Sequence, residues 1–315
     1  MKIKLIEFIK NNLAVANKIV LAIVVNTWGS SPRKIGSMMV VNDQADHEGS
    51  VSGGCVEADV ISCALDILES NIPILKKYSV SDELAYDVGL LCGGDIEIFI
   101  TRIDDSFITI VENLLESKMQ QFYSIDLSDK KMIKLGKTID HKTNSLRKNI
   151  NGKDTFLGVL SPSPVMILIG GGEISTELAR LSKVLGYKII IIDPRTAFNI
   201  EKRFPPGTQI IMKWPMDAFQ DLEINHNTAV IALSHDPKFD DTALLIALDS
   251  KAFYIGALGS IVSHQRRLER LKKLVEDEKA LSAIKSPVGL DIFAQNPQEI
   301  AVSILADVIR VRNSE

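Results

Sequence analysis

The sequence predicts two α/β domains, an N-terminal mixed α/β domain over residues 1–160 and a C-terminal doubly wound parallel sheet over 161–315. Three observations carry this. A chain of 315 residues suggests two domains at roughly 100–200 residues each. From Val165 onward, short runs of Ile, Val and Leu alternate with helical patterns, as in a parallel sheet covered on both faces. "SPSP" at 161–164 punctuates the chain where this rhythm begins.

Composition narrows the class. Hydrophobic residues make up 46% and charged residues 24%, ordinary for a globular chain. A net charge of -4 with mixed signs and only 6% aromatics argue against a nucleic-acid surface. No run approaches the ~18 apolar residues of a membrane span; the longest obvious one is "IVLAIVV". The N-terminus lacks the cleavage site of a signal peptide, and three cysteines do not suggest a disulfide framework. The expected compartment is the cytoplasm.

In the first domain, residues 2–15 have the pattern of an amphipathic helix. "KIVLAIVVNTW" (18–28) reads as a buried strand, and "SMMVVND" (37–43) as its partner across the loop "GSSPRKIG". A helix is expected from Cys55 to about Ser70, then strands over "ILKKYSV" and "DIEIFITRI". Residues 104–160 are polar and lysine-rich, and the expectation there is a meander of strands. In the second domain, "VMILIGGG" is a strand running into glycines. "EISTELARLSKVLG" is a helix closed by Gly186, and "YKIIIID" a second strand. "TQIIMKW", "TAVIALS" and "AFYIGALG" are further strands, and "NPQEIAVSILADVI" a final helix with Ile300, Ile304 and Val308 toward the core.

"GGGEIS" (170–175) fits a dinucleotide-binding fingerprint in the required strand-to-helix context, which makes the second domain Rossmann-like. Gly170 would make the tight turn, Gly172 would admit a pyrophosphate, and Ser175 would allow close packing. Asp193, ending the second strand, is placed to accept from a ribose. Glu173 in the first helical turn either serves as a helix-start residue or repels a phosphate, so nucleotide binding and a scaffold that has lost it both stand. His235, Asp236 and Asp240 after "TAVIALS" form either a polar cluster at the sheet's carboxyl edge or a helix-starting turn.

"GSVSGGC" and "CGGD" set Cys55 and Cys92 beside Gly53, Gly54, Gly93 and Gly94. A helix start favours a thiolate at Cys55, and glycine amides can form an anion-binding nest. Cys63, inside the helix, is expected in the core. For the pair, zinc lacks further ligands and a nucleophile lacks a nearby base. A sulfur- or metal-bearing cofactor and plain packing in tight turns both stand. Arg33 and Lys34 in the neighbouring loop offer donors to an anionic ligand.

Together "GSSPRKIGSMMVV", "GSVSGGCVEADV" and "CGGDIEIFI", with the glycine loop, "SHDPKFDDTALLIAL", "YIGALGS" and "PVGLDIFAQNPQEIAVSILADVI", resemble the XdhC/CoxI family of maturation factors for molybdenum hydroxylases. The resemblance implies a carrier that binds the molybdenum cofactor and passes it to an apo molybdenum hydroxylase such as xanthine or CO dehydrogenase, with a sulfurase as a further partner and a homodimer as its assembly. It implies that Cys55 and Cys92 flank the metal, soft ligands suiting a soft centre, and that Arg33 meets the cofactor's phosphate. The chain departs from the family where GAGH becomes "GGGE", and where Ile261 and Val262 replace a basic run. Too few cysteines are present for iron–sulfur clusters, which excludes the dehydrogenase itself. An NAD(P)-dependent oxidoreductase with His235 as proton donor is the alternative.

Overall fold

The computed structural model describes residues 3–15, 18–29, 33–79, 94–117, 119–135, 145–195 and 200–314. The chain divides into two compact units, 1–162 and 163–315.

The first unit begins with α1 (Ile3–Ala14), β1 (Ile19–Trp28), β2 (Met38–Asn42) and β3 (His47–Gly49). Then come α2 (Glu57–Ser70), β4 (Ile74–Tyr78) and β5 (Asp95–Arg102). The strands form an antiparallel sheet in the order β3-β2-β1-β5-β4. Central β1 is buried from Ile19 to Val25 because both sheet faces are covered. Val20, Ala22 and Val24 pack with Val60, Ala64 and Ile67 of α2. Leu21, Ile23 and Val25 belong to the opposite core, with Ile9 of α1. A strand buried on two faces reads as a continuous apolar run, not an alternating one.

Residues 104–160 correct the expected meander. They open with a helix, α3 (Asp105–Ser117), whose Phe107, Ile110, Val111 and Leu114 are buried at helical spacing. A four-stranded antiparallel sheet follows, from β6 (Gln121–Asp126), β7 (Lys131–Leu135), β8 (Leu146–Ile150) and β9 (Lys153–Leu160), in the order β7-β6-β9-β8. Tyr123 meets Phe107 edge-on at 5.9 Å. It lies over Gly158, where a Cβ would come within 2.0 Å of the ring.

The second unit contains β10 (Val165–Ile169), α4 (Glu173–Val184), β11 (Lys188–Ile192), α5 (Ile200–Arg203), β12 (Gln209–Ile211) and α6 (Pro215–Ala218). It continues through β13 (Thr228–Ala232), α7 (Pro237–Leu248), β14 (Tyr254–Ala257), α8 (Ile261–Leu271), β15 (Ile284–Lys285) and α9 (Pro297–Ser314). The order is β12-β11-β10-β13-β14-β15, with every pairing parallel. This is the Rossmann arrangement, with its switch point between β10 and β13. Leu178, Ile304 and Val308 of α4 and α9 cover one face. Phe239 and Leu244 of α7 cover the other, with Leu271.

Candidate functional site

In the first unit the antiparallel register brings the sequence motifs to one end of the sheet. Ile23 pairs with Met38 and Trp28 with Asp95, so β1 ends where β2 and β5 begin. Met39 pairs with Gly49 and Tyr78 with Ile96, so β3 and β4 end there too. Arg33, the Ser50–Cys55 loop and buried Gly94 all sit at this end. Arg33 Nε donates to Ser50 Oγ at 3.2 Å, linking two of the loops. Cys92 and Gly93 lie outside the described residues. Trp28 is 75% exposed at the same end, a ring that composition gave no reason to single out.

The nest foreseen around Gly53 and Gly54 exists, but its anion is the protein's own. Glu57, the first residue of α2, turns its carboxylate back into the loop. Oε1 accepts from Ser50 Oγ at 2.6 Å, Val51 N at 3.2 Å, Ser52 N at 2.9 Å and Gly53 N at 3.0 Å. Oε2 accepts from Gly54 N at 2.8 Å and from the Ser52 hydroxyl. Burial alone would raise the Glu57 pKa; the bonds from Ser50, Ser52 and Gly53 outweigh it and bring it from 4.5 down to about 2. Gly53 and Gly54 have φ of +93° and +127°, which lets successive amides converge on one point. The sequence signal was an acidic residue in the first helical turn, directly behind a glycine loop.

Cys55 does not begin the helix. Val56 is the N-cap, and Cys55 precedes it, half-buried against the α2 core. Cys63 also departs from the core expectation. It is half-buried, and Lys76 Nζ lies 3.4 Å from its sulfur. Lys76 pairs with Asp59 at 2.6 Å, and Asp59 also accepts from Tyr78 at 2.6 Å. Among the described residues no three His, Cys, Asp or Glu side chains could together hold a metal ion.

In the second unit the glycine loop occupies the switch point. Gly170 has φ +96°, and a Cβ there would sit 2.7 Å from Ser234 Cα, so the loops after β10 and β13 touch through this glycine. Ser175 Oγ donates to Gly170 O at 2.6 Å, and Ser175 is buried as expected. Gly172 caps α4, and nothing lies within 4 Å of where its Cβ would be, so this edge is open to a ligand. Glu173 beside it is exposed.

The residue expected to read a ribose is otherwise engaged, whereas the expected proton donor, His235, is exposed. Asp193 is buried, accepting from Gly171 N at 2.7 Å and from Arg195 Nε and Nη2 at 2.8 and 2.7 Å. Burial opposes its charge, but the Arg195 guanidinium and the Gly171 amide hold its pKa below the usual value. Asp236 caps α7, accepting from Lys238 N at 3.0 Å. Buried Asp240 accepts from Ser234 Oγ at 2.7 Å, and burial raises its pKa. The polar cluster is thus a helix start. His235 is exposed with φ +64°. Arg195, which sequence reasoning missed, keeps half its side chain exposed and lies 5.8 Å over the Phe239 ring; Trp214 packs on Phe239 at 4.7 Å.

Residues 166–308 match the model of the XdhC Rossmann domain, and residues 13–79 match the model of the XdhC and CoxI family. The matched ranges include Arg33, Gly53, Gly54, Cys55 and Glu57 in the first unit, and Gly170 through Asp236 in the second. A Bacillus subtilis protein, named as one of the probable subunits of xanthine dehydrogenase, is 29% identical over 93% of this chain and 93% of its own. The Escherichia coli molybdenum cofactor insertion chaperone PaoD is also 29% identical, over 93% of this chain and 83% of its own. A Bacillus halodurans crystal structure described as a xanthine dehydrogenase superposes with TM-score 0.80 at 25% identity, covering 98% of this chain and 96% of that one.

Proposed function

Because the chain belongs to the XdhC and CoxI family, we propose that it binds the molybdenum cofactor as cargo and inserts it into a molybdenum hydroxylase. The observation that carries this is the likeness, along 93% of the chain, to a protein named for that insertion. The Cys55 loop supports it chemically. A half-buried thiol offers one soft contact to a molybdenum–sulfur centre. Trp28 and Arg33, at the same sheet end, offer a ring for the pterin and a charge for its phosphate. Cys92 and Gly93, which precede Gly94 in the sequence, are further contacts in this proposal. The loop amides do not take the phosphate in this reading, because Glu57 fills them. The protein is a carrier without turnover, working as a homodimer in the cytoplasm and exposing its cargo to a sulfurase before delivery. No helix among the described residues is long and apolar enough to cross a membrane.

A second reading concerns the Rossmann unit. The open edge at Gly172 and the exposed half of Arg195 favour a phosphate-bearing nucleotide, NADP(H) over NAD(H), since Asp193 is already bonded. This could be bound without hydride transfer.

The test is reconstitution. Purified protein loaded anaerobically with molybdenum cofactor is mixed with an apo molybdenum hydroxylase, and client activity is followed. The expected result is faster and fuller activation than with free cofactor. Activation no better than with free cofactor would overturn the carrier reading. Oxidation of NAD(P)H by the isolated protein with a carbonyl substrate would favour the oxidoreductase.

A further inference from the structure

We propose that Glu57 is the positioning residue of Cys55: its carboxylate is a built-in anion that folds the Ser50–Gly54 loop around itself and keeps that nest closed to external oxyanions. This rests on the reading of Cys55 as a cofactor contact, but its geometry stands apart from any cofactor. The backbone N–H groups of both residues flanking Cys55 are tied to Glu57. On one side Gly54 N donates to Oε2 at 2.8 Å. On the other, Val56 N donates to Ser52 Oγ at 3.0 Å, and that hydroxyl donates to the same oxygen. Ser50 Oγ donates to Oε1 and accepts from Gly53 N at 2.9 Å and from Arg33 Nε at 3.2 Å, so Arg33 is linked to the same carboxylate through this hydroxyl.

Four backbone amides, Val51 to Gly54, converge on this carboxylate. Amides so arranged repel one another unless an anion lies between them. Without Glu57 the loop must either open or recruit an anion from solution. A neutral residue of the same size would do neither: the amide group of Gln would set its own N–H donors against the loop's.

The experiment reads Cys55 directly, without molybdenum. Alkylation by iodoacetamide is followed peptide by peptide in full-length Glu57→Ala, Glu57→Gln and Glu57→Asp, with Cys63 on the body of α2 as internal reference. Glu57→Ala should change the Cys55 rate by about fivefold or more while Cys63 stays within twofold. Formate, small enough to enter the vacated nest, should return the Glu57→Ala rate toward wild type in a saturable way. It should have no effect on wild type or on Glu57→Gln. Glu57→Asp, keeping the charge one methylene short, should lie near wild type; it carries the test if Glu57→Ala fails to fold. A Cys55 rate unchanged in Glu57→Ala, a change that formate does not reverse, or an Asp variant as altered as the Gln variant would overturn the proposal. Normal formate rescue in a protein that retains no molybdenum cofactor would sink only the carrier reading.

Discussion

At Glu57 six donors meet two carboxylate oxygens, and the loss of that charge on acidification has a calculable sign. The folded pKa is depressed from 4.5 to about 2, so the stabilisation is complete above about 4.5 and is lost as pH falls toward about 2. Allowing for solvent screening of a half-exposed group, the loss is on the order of 1–2 kcal/mol. Wild type should therefore be more stable than Glu57→Gln at pH 6, with the gap narrowing between pH 4.5 and 2; urea unfolding of both across that range measures it. A gap independent of pH would mean that the charge does not matter. The glycines and Cys55 could be read from the sequence because their types restrict the backbone. The anion they enclose could not, because a carboxylate after a glycine loop can face the loop, the solvent or a ligand. At Asp193 the same ambiguity concealed Arg195, only two positions away, as the partner.

Among the elements, those with a single strong pattern matched their expectation. β1 is one, fixed by its apolar run, and the glycine turn into α4 is another, fixed by Gly170 and Ser175. Replacing Gly170 by Ala forces a side chain into the left-handed region and against Ser234 backbone. A loss of about 1–3 kcal/mol in the second unit follows, measured by thermal unfolding; a neutral effect would mean that the β10 and β13 loops part easily. α3 escaped notice although Phe107, Ile110, Val111 and Leu114 have helical spacing, because the polar, lysine-rich stretch after it dominated the reading of the region. Phe107 is fully buried between α3 and Tyr123, so Phe107→Ala should cost about 3–5 kcal/mol. A shift of the urea midpoint for the first unit checks this.

For the whole molecule, composition placed it among globular chains and the rhythm of strands and helices among α/β folds, and neither gave an activity. The two units carry different chemistry, and each has spent its most obvious charged group on its own architecture. Glu57 closes the nest in the first, and Asp193 braces the glycine loop in the second. Among the described residues, the proposal leaves to a ligand Cys55, Trp28 and Arg33 in the first unit and Arg195 and the open edge at Gly172 in the second. The most direct measurement is an anaerobic titration of the full chain with molybdenum cofactor, followed by tryptophan fluorescence, for wild type and Cys55→Ala. The account predicts saturable binding by wild type, weakened at least about tenfold, or ~1.4 kcal/mol, by the substitution, with the thermal midpoint nearly unchanged. A folded wild type that does not bind, or a Cys55→Ala variant that binds as tightly, would contradict it.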